Sequence, residues 1–300
     1  MPEKDAEEIK KYVRKRYGGL ARQQMQSGGK TSCCGPRTSC CGPGTTASVT
    51  PSRAEALYGR ETIQELPESV TGLALGCGDP TALADLKPGE VVLDLGSGGG
   101  IDCFIAARKV GAKGRVIGLD MTPDMLSLAR ENAKKLGMAN VEFRLGEMEH
   151  MPVESNSVDI ILSNCVINLS PDKDAVFCEA FRVLKPGGRL CVSDIVLLGE
   201  LPEEVKGSLE DWAHCVAGAL RKDDYMDKMR AAGFAEVKAE SKSISLCLSS
   251  GDALSAAVSD HLDDLRAAGL VEVKAESNGS TSVHLSDVVV SAAVTAVKPR

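Results

Sequence analysis

Three cysteines of this chain stand where a thiol could do chemistry. Cys77 is the centre of a glycine loop, Leu75-Gly76-Cys77-Gly78-Asp79-Pro80-Thr81, which opens a short helix expected over Thr81 to Leu86. A helix N-terminus lowers the pKa of a nearby thiol and attracts anions, although an ordinary turn cysteine also explains this loop taken alone. Cys165 follows directly on the apolar run Val158-Asp159-Ile160-Ile161-Leu162-Ser163, and Cys215 lies near the end of a helical pattern in His214-Cys215-Val216-Ala217-Gly218-Ala219-Leu220. A thiol holds a hydroxyl or amine poorly but ligates a soft atom well. Packing as a small hydrophobe is the plainer reading of a half-buried cysteine. Four more cysteines form a tandem repeat, Cys33-Cys34-Gly-Pro-Arg-Thr-Ser followed by Cys40-Cys41-Gly-Pro-Gly-Thr-Thr. The stretch Ser27 to Thr50 around it is rich in Gly, Ser, Thr and Pro and reads as mobile. Either the pairs hold a thiophilic ion, or the stretch is a linker with reactive thiols and no fixed site.

A second group of residues suits a nucleotide. Val91-Val92-Leu93-Asp94-Leu95 reads as a buried strand, and it ends in the glycine turn Gly96-Ser97-Gly98-Gly99-Gly100. Glycines permit positive φ and let a ligand approach the main chain. A second strand, Arg115 to Leu119, ends at Asp120, where an acid can accept hydrogen bonds from ribose hydroxyls. The glycine loop alone also fits dinucleotide binders. Further strands read at Val141–Leu145, Val158–Ser163 and Arg189–Val196, and helices at Ile101–Val110, Pro123–Leu136 and Asp172–Leu184. Lys185-Pro186-Gly187-Gly188 reads as the turn of a helix–turn–strand corner. Such alternation predicts an α/β fold with a doubly wound, mainly parallel sheet. Ligands then sit off the carboxyl ends of the strands, which groups Gly96–Gly100, Asp120–Met121, Gly146–Met148 and Asn164–Cys165 around one crevice.

The outer parts of the chain are less regular. Residues 1–70 read as a helix, about Glu7 to Gln26, then the Cys-rich flexible segment and a connecting helix and turn. Residues 71–198 read as the nucleotide-binding domain, and 199–300 as a smaller C-terminal α+β region. That region opens with an expected helix from Leu201 through Leu220, then a helix from Tyr225 to Ala232 and a strand from Ala235. The motif Arg230-Ala-Ala-Gly233 … Glu236-Val-Lys-Ala-Glu-Ser241 recurs at Arg266-Ala-Ala-Gly269 … Glu272-Val-Lys-Ala-Glu-Ser277, an internal duplication for which packing or dimerisation is the simplest role.

Composition narrows the function. A net charge of −7 argues against a nucleic-acid partner, which needs a basic face. No apolar run reaches the roughly 18 residues of a membrane span, and the charged, helix-like start carries no apolar leader. A cytoplasmic location is therefore expected. Eleven cysteines in a reducing compartment are more readily explained by binding or chemistry than by permanent staples.

The acid before the glycine loop and the Lys185-Pro186-Gly187-Gly188 corner, in this order, resemble the class I S-adenosylmethionine-dependent methyltransferases. With the three cysteines in view, the chain resembles the arsenite S-adenosylmethionine methyltransferases. The matching pieces are Leu75 to Ala84, Asp94 to Gly100, Gly118-Leu119-Asp120-Met121-Thr122-Pro123, Ser163 to Lys173, and Cys215 to Ala219. The resemblance covers about residues 7 to 245. It implies S-adenosylmethionine as cofactor, arsenite as substrate, a role in arsenic detoxification, and a thiol reductant such as thioredoxin or glutathione as partner. It implies that Cys77, Cys165 and Cys215 bind arsenic, with Cys40 or Cys41 passing arsenic in or pairing with Cys77 as a disulfide. Backbone at Gly96, Ser97 and Gly98 would meet the amino-acid part of the cofactor and Asp120 its ribose. Met121, Gly146, Glu147 and Met148 would border the adenine, while Asp94 and Asn164 orient the sulfonium end. Cys103, Cys178, Cys191 and Cys247 fall in element interiors and read as packing residues. Two rival readings stand beside this one. The first is a carbon or oxygen methyltransferase with incidental cysteines. The second is a thiol-rich metalloid-binding protein without catalysis.

Overall fold

The computed structural model describes residues 5–27, 52–199, 215, 217–243, 245–247, 271–275, 281–285 and 289–300. The Cys-Cys-Gly-Pro repeat lies outside them, as does the expected helix from Leu201 up to His214.

A seven-stranded mixed sheet is built from β1 (Val91–Leu95), β2 (Arg115–Asp120), β3 (Val141–Leu145), β4 (Val158–Asn164), β5 (Leu184–Leu197), β6 (Ala235–Ser243) and β10 (Val289–Val297), in the order β3-β2-β1-β4-β5-β10-β6. β3 to β5 pair in parallel, and β10 runs antiparallel between β5 and β6. A smaller antiparallel sheet holds β7 (Ser245–Cys247), β9 (Thr281–Leu285) and β8 (Val271–Ala275) in that order.

Among the described residues the α-helices are α1 (Ala6–Ser27), α2 (Arg53–Tyr58), α3 (Arg60–Ile63), α4 (Glu68–Thr71), α5 (Pro80–Leu83), α6 (Ile101–Val110), α7 (Pro123–Leu136), α8 (Lys173–Val183) and α9 (Lys222–Ala231). Their ends follow local chemistry. Ser52 and Glu55 form a capping box on α2, and Asp79 and Asp172 cap α5 and α8 through their side chains. Pro123 opens α7 at a position whose N–H has no helical partner, and Gly137 closes it in the left-handed conformation.

The central strands β1, β2, β4 and the second half of β5 are apolar nearly throughout because both of their faces are covered. Val92, Ile160 and Leu162 pack with Phe104, Ala107 and Val110 of α6 on one face. Leu93, Ile161 and Leu190 pack with Val176, Phe177 and Met229 of α8 and α9 on the other. Neighbours along one strand thus serve opposite cores, the period of two that a strand imposes.

Two expectations are refined. The turn at Lys185–Gly188 is a bulge inside β5: Val158 pairs with Leu184 and Ile160 with Arg189, so four residues of β5 face Asp159 alone. Lys185 Nζ lies 2.8 Å from both Asp159 oxygens, and Gly187, which turns the chain at φ +81°, donates its N–H to the Lys298 carbonyl at 2.8 Å, which anchors the bulge. The sheet also does not stop at residue 198, since β6 and β10 from the C-terminal region complete it.

Candidate active site

A cleft of about 1040 Å3, counted to its open mouth, lies off the carboxyl ends of β1, β2 and β4. Gly96, Ser97, Gly98, Asp120, Met121, Gly146, Met148, Asn164 and Cys165 all line it, as expected from the strand ends. The glycine turn is tight: Ser97 N–H donates to the Leu119 carbonyl at 3.0 Å, and Gly100 N–H to the Ser97 carbonyl at 2.8 Å. Gly98 has φ +50°, and open space stands where its Cβ would be. Asp120 accepts from Gly98 N–H at 2.9 Å and Thr122 N–H at 2.8 Å. Burial raises its carboxyl pKa despite those bonds.

Two expected residues stand elsewhere. Asp94 is buried, but it faces Cys103, whose thiol donates to it at 3.1 Å, and it does not line the cleft. Burial and the Asp102 charge push the Asp94 pKa well up. Glu147 turns outward to Lys10 at 2.6 Å and Arg14 at 3.3 Å, while Glu149, two residues on, lines the cleft and accepts from Ser170 Oγ at 2.6 Å. The Gly-Glu-Met-Glu spacing offered both acids, and only the turn decides which faces in.

Asn164 ties the cleft together. Its Oδ1 accepts from Cys77 N–H at 3.0 Å and Gly78 N–H at 3.3 Å. Its Nδ2 lies 2.9 Å from the Gly78 carbonyl, 2.9 Å from Tyr58 Oη and 3.2 Å from Asp102 Oδ2. A Cβ on Gly76 would collide with this amide, which is why the loop is glycine there. Tyr58 Oη also donates to Asp102 Oδ2 at 3.1 Å. Tyr58 and Asp102 line the cleft and were not singled out from the sequence. Asp102 follows the glycine loop by two residues, a signal available in hindsight, whereas Tyr58 carried none. Burial raises the Asp102 pKa to about 7.

The cysteines meet at the outer end of this cleft. Cys77 and Cys165 are joined in a disulfide. The loop held by Asn164 presents Cys77 directly to the end of β4, and in this disulfide state neither sulfur is a free thiolate, while Cys40 and Cys41 lie outside the described residues. Cys215 is a free, buried thiol whose Sγ donates to the Cys165 carbonyl at 2.8 Å. Burial, then the nearby Asp194 charge, push its pKa up, so the free protein holds it as the thiol. Cys165 and Cys215 both have positive φ, +56° and +66°, a region that costs a non-glycine residue on the order of 1–3 kcal/mol. Cys103 and Cys191 are buried as expected, but Cys178 is exposed on α8.

α1 forms one wall. Lys10, Val13 and Tyr17 line the cleft, and Arg22 pairs with Asp124 on α7. Burial raises the Tyr17 phenol pKa.

Comparison with known proteins agrees with this geometry. A family model described as a methyltransferase domain matches residues 86–233. An arsenite methyltransferase of Halobacterium salinarum is 43% identical over 242 residues, covering 79% of this chain and 60% of the relative. The arsenite methyltransferase of Mus musculus is 37% identical, covering 77% of this chain and 59% of the relative. The chain thus spans somewhat over half the length of these relatives. The crystal structure of an arsenic(III) S-adenosylmethionine methyltransferase from Chlamydomonas reinhardtii superposes with a TM-score of 0.61 at 32% identity, covering 84% of this chain and 75% of that one. With its nucleotide-type cleft, its converging cysteines and these likenesses, the chain belongs to the arsenite S-adenosylmethionine methyltransferase family.

Proposed function

We propose that this protein transfers methyl groups from S-adenosylmethionine to trivalent arsenic held by cysteine sulfur, as a step in arsenic detoxification. The observation that carries the reading is the convergence of three sulfur-bearing residues from separate segments, Cys77, Cys165 and Cys215, at the end of a cleft that Cys165 itself lines.

The cleft fits the cofactor. Ser97 Oγ and Asp102 Oδ1 are buried without a hydrogen-bond partner, and both residues line it. Such orphaned groups are costly unless a ligand satisfies them. Asp102 would take the amino group of the cofactor, and the open side of Gly98 would admit its carboxylate end. Asp120 has lone pairs left for ribose hydroxyls, while Met121, Met148 and Glu149 would border the adenine. When bound, S-adenosylmethionine supplies an electrophilic methyl group on a sulfonium. The chain's own contribution is to hold both reactants at near-attack distance.

Arsenic is soft and thiophilic. Two electrons and two protons from a thiol reductant, thioredoxin or glutathione, open the Cys77–Cys165 disulfide to two thiols. Three thiols then exchange with arsenous acid: three As–S bonds form, three As–O bonds break, and the thiol protons leave with the hydroxyls as three waters. This removes the penalty of ionising the buried Cys215 thiol in advance. The arsenic keeps a lone pair and is itself the nucleophile, so no side-chain base is required. A reducing, cytoplasmic setting suits such thiol chemistry. Among the described residues no helix is long and apolar enough to cross a membrane.

The test is a mass-spectrometric assay of arsenic species with arsenite, S-adenosylmethionine and a thiol reductant. The native protein is expected to form methylated arsenic, and Cys165→Ser at least a hundredfold less. Undiminished methylation in the variant would remove Cys165 from the mechanism. No methylated arsenic from a native protein that binds the cofactor would favour a small-molecule methyltransferase with incidental cysteines.

A further inference from the structure

We infer that Asn168 is the positioning residue for the Cys215 sulfur, an assignment that rests on the arsenic-binding reading above. Asn168 is wholly buried in the 3-10 turn Ile167–Leu169, directly after Cys165 and Val166. Its amide Nδ2 is the meeting point of three acceptors: Asp194 Oδ1 at 2.9 Å, the Ile195 carbonyl at 2.7 Å and the Cys215 carbonyl at 3.3 Å. One side chain thereby fastens Cys215 to β5 and to the segment that carries Cys165.

The need for such a clamp follows from the backbone. Cys215 has φ +66°, a strained conformation that persists only where its surroundings over-determine it. Two further links define this corner. Cys215 Sγ reaches the Cys165 carbonyl, and Cys165 N–H donates to the Ser193 carbonyl at 2.7 Å. Just downstream, Leu197 N–H donates to the Leu220 carbonyl at 2.9 Å, which lays the chain after Cys215 along the end of β5. Cys215 and Cys165 are thus both registered against β5, and Asn168 is the side chain that spans the two.

The network behind Asn168 is expensive for an apolar core. Asp194 is fully buried, accepts from Ile195 N–H at 2.9 Å, and lies 3.4 Å from Tyr225 Oη. Lys173 is buried beside it and donates to the Ser170 carbonyl at 2.8 Å and the Asn168 carbonyl at 3.4 Å. Asn168 does not line the cleft, so its effect falls on the arsenic site and not on the cofactor. Buried polar groups cost stability unless they are hydrogen-bonded, and a bonded network fixes the positions of the groups it joins. Here it specifies where the third sulfur stands.

The experiment compares two affinities on fully reduced full-length protein: arsenite, by equilibrium dialysis with elemental mass spectrometry, and S-adenosylhomocysteine, by calorimetry. Asn168→Ala is expected to bind arsenite at least tenfold more weakly while its S-adenosylhomocysteine affinity stays within threefold of native. Phe177→Leu loosens the packing beside Tyr225 without touching the amide clamp, and both of its affinities are expected to stay within threefold. Native-like arsenite affinity in Asn168→Ala would overturn the assignment and leave the arsenic site standing. A parallel loss of both ligands in Asn168→Ala and Phe177→Leu would overturn it in favour of a purely structural role. Failure of the native protein to retain arsenite would remove the parent reading, and this one with it. Should Asn168→Ala not fold, Asn168→Ser, which keeps one donor, is expected to show an intermediate arsenite affinity, and native affinity there would overturn the assignment.

Discussion

Asp102 carries a pH dependence that opposes itself in binding and in folding. Burial is the largest cause of its raised pKa, with the Asp79 charge adding to it and Asn164, Tyr58 and Lys109 lowering it, to a net value of about 7. If the ionised carboxylate receives the cofactor's amino group, S-adenosylhomocysteine affinity rises as pH climbs through about 7. In Asp102→Asn it should be weaker by about tenfold and flat, and calorimetry between pH 6 and pH 8 measures both. A native profile as flat as the variant's would take Asp102 out of the cofactor site. For folding the sign reverses. A carboxyl whose folded pKa is raised contributes stability below its unfolded value, near 3.8, that is lost as pH rises to about 7. The variant should therefore lose less stability than the native protein over that window. Asp120, Asn164 and the glycine turn were legible in the sequence because strand ends and glycine loops have fixed places in this architecture. The Cys77–Cys165 bond was not, because pairing depends on where a loop folds back, and spacing along the chain does not encode that.

Among the elements, α1 has the most direct bearing on the cleft. Its helical spacing was readable in the sequence, but periodicity cannot say which surface an apolar stripe covers. Ile9 and Val13 are each only 2% exposed, worth about 1.5–3 kcal/mol apiece at full burial. The ion pairs from Lys10 to Glu147 and from Arg22 to Asp124 orient the helix across the mouth, though partly exposed pairs add little stability, about 0–1 kcal/mol each. Removal of residues 1–27 should lower the thermal midpoint by several degrees and weaken S-adenosylhomocysteine at least tenfold. Melting curves and calorimetry on the truncated chain measure this. Unchanged affinity would mean that the helix covers the cleft without forming its wall. The bulge in β5 shows a similar limit of sequence reading. Lys-Pro-Gly-Gly is turn-like composition and Gly187 does take φ +81°, yet the sequence could not say that this turn lies inside β5, anchored to Lys298 more than a hundred residues on.

At the scale of the whole molecule, the duplicated motif takes two different places. Glu236 to Ser241 lies in β6, the outermost strand of the large sheet, and Glu272 to Ala275 lies in β8, at one side of the small sheet. Alternating charged and small residues suit an edge strand in either setting, so the sequence alone could reveal the repeat but not where each copy goes. The first copy is tied to the core through Met229, Phe234 and the pairing of β6 with β10. The register of that pairing sets up a sharp test. Ser243 stands opposite Val290 in antiparallel pairing, so the two strands are already placed as the arms of a hairpin. A two-residue Asn-Gly turn has the twist that joins such strands. Joining Ser243 to Val290 through Asn-Gly, which keeps their pairing, should therefore give a soluble protein that binds S-adenosylhomocysteine within about threefold of native. β10 would still separate β5 from β6, and Ser291 Oγ would still donate to the Cys77 carbonyl at 3.1 Å. Calorimetry on the shortened chain decides the matter. An aggregated product, or one that has lost the cofactor analogue, would mean that the second copy and its small sheet are part of what holds the methyltransferase fold together. Retained binding would mark them as an insertion into a finished domain.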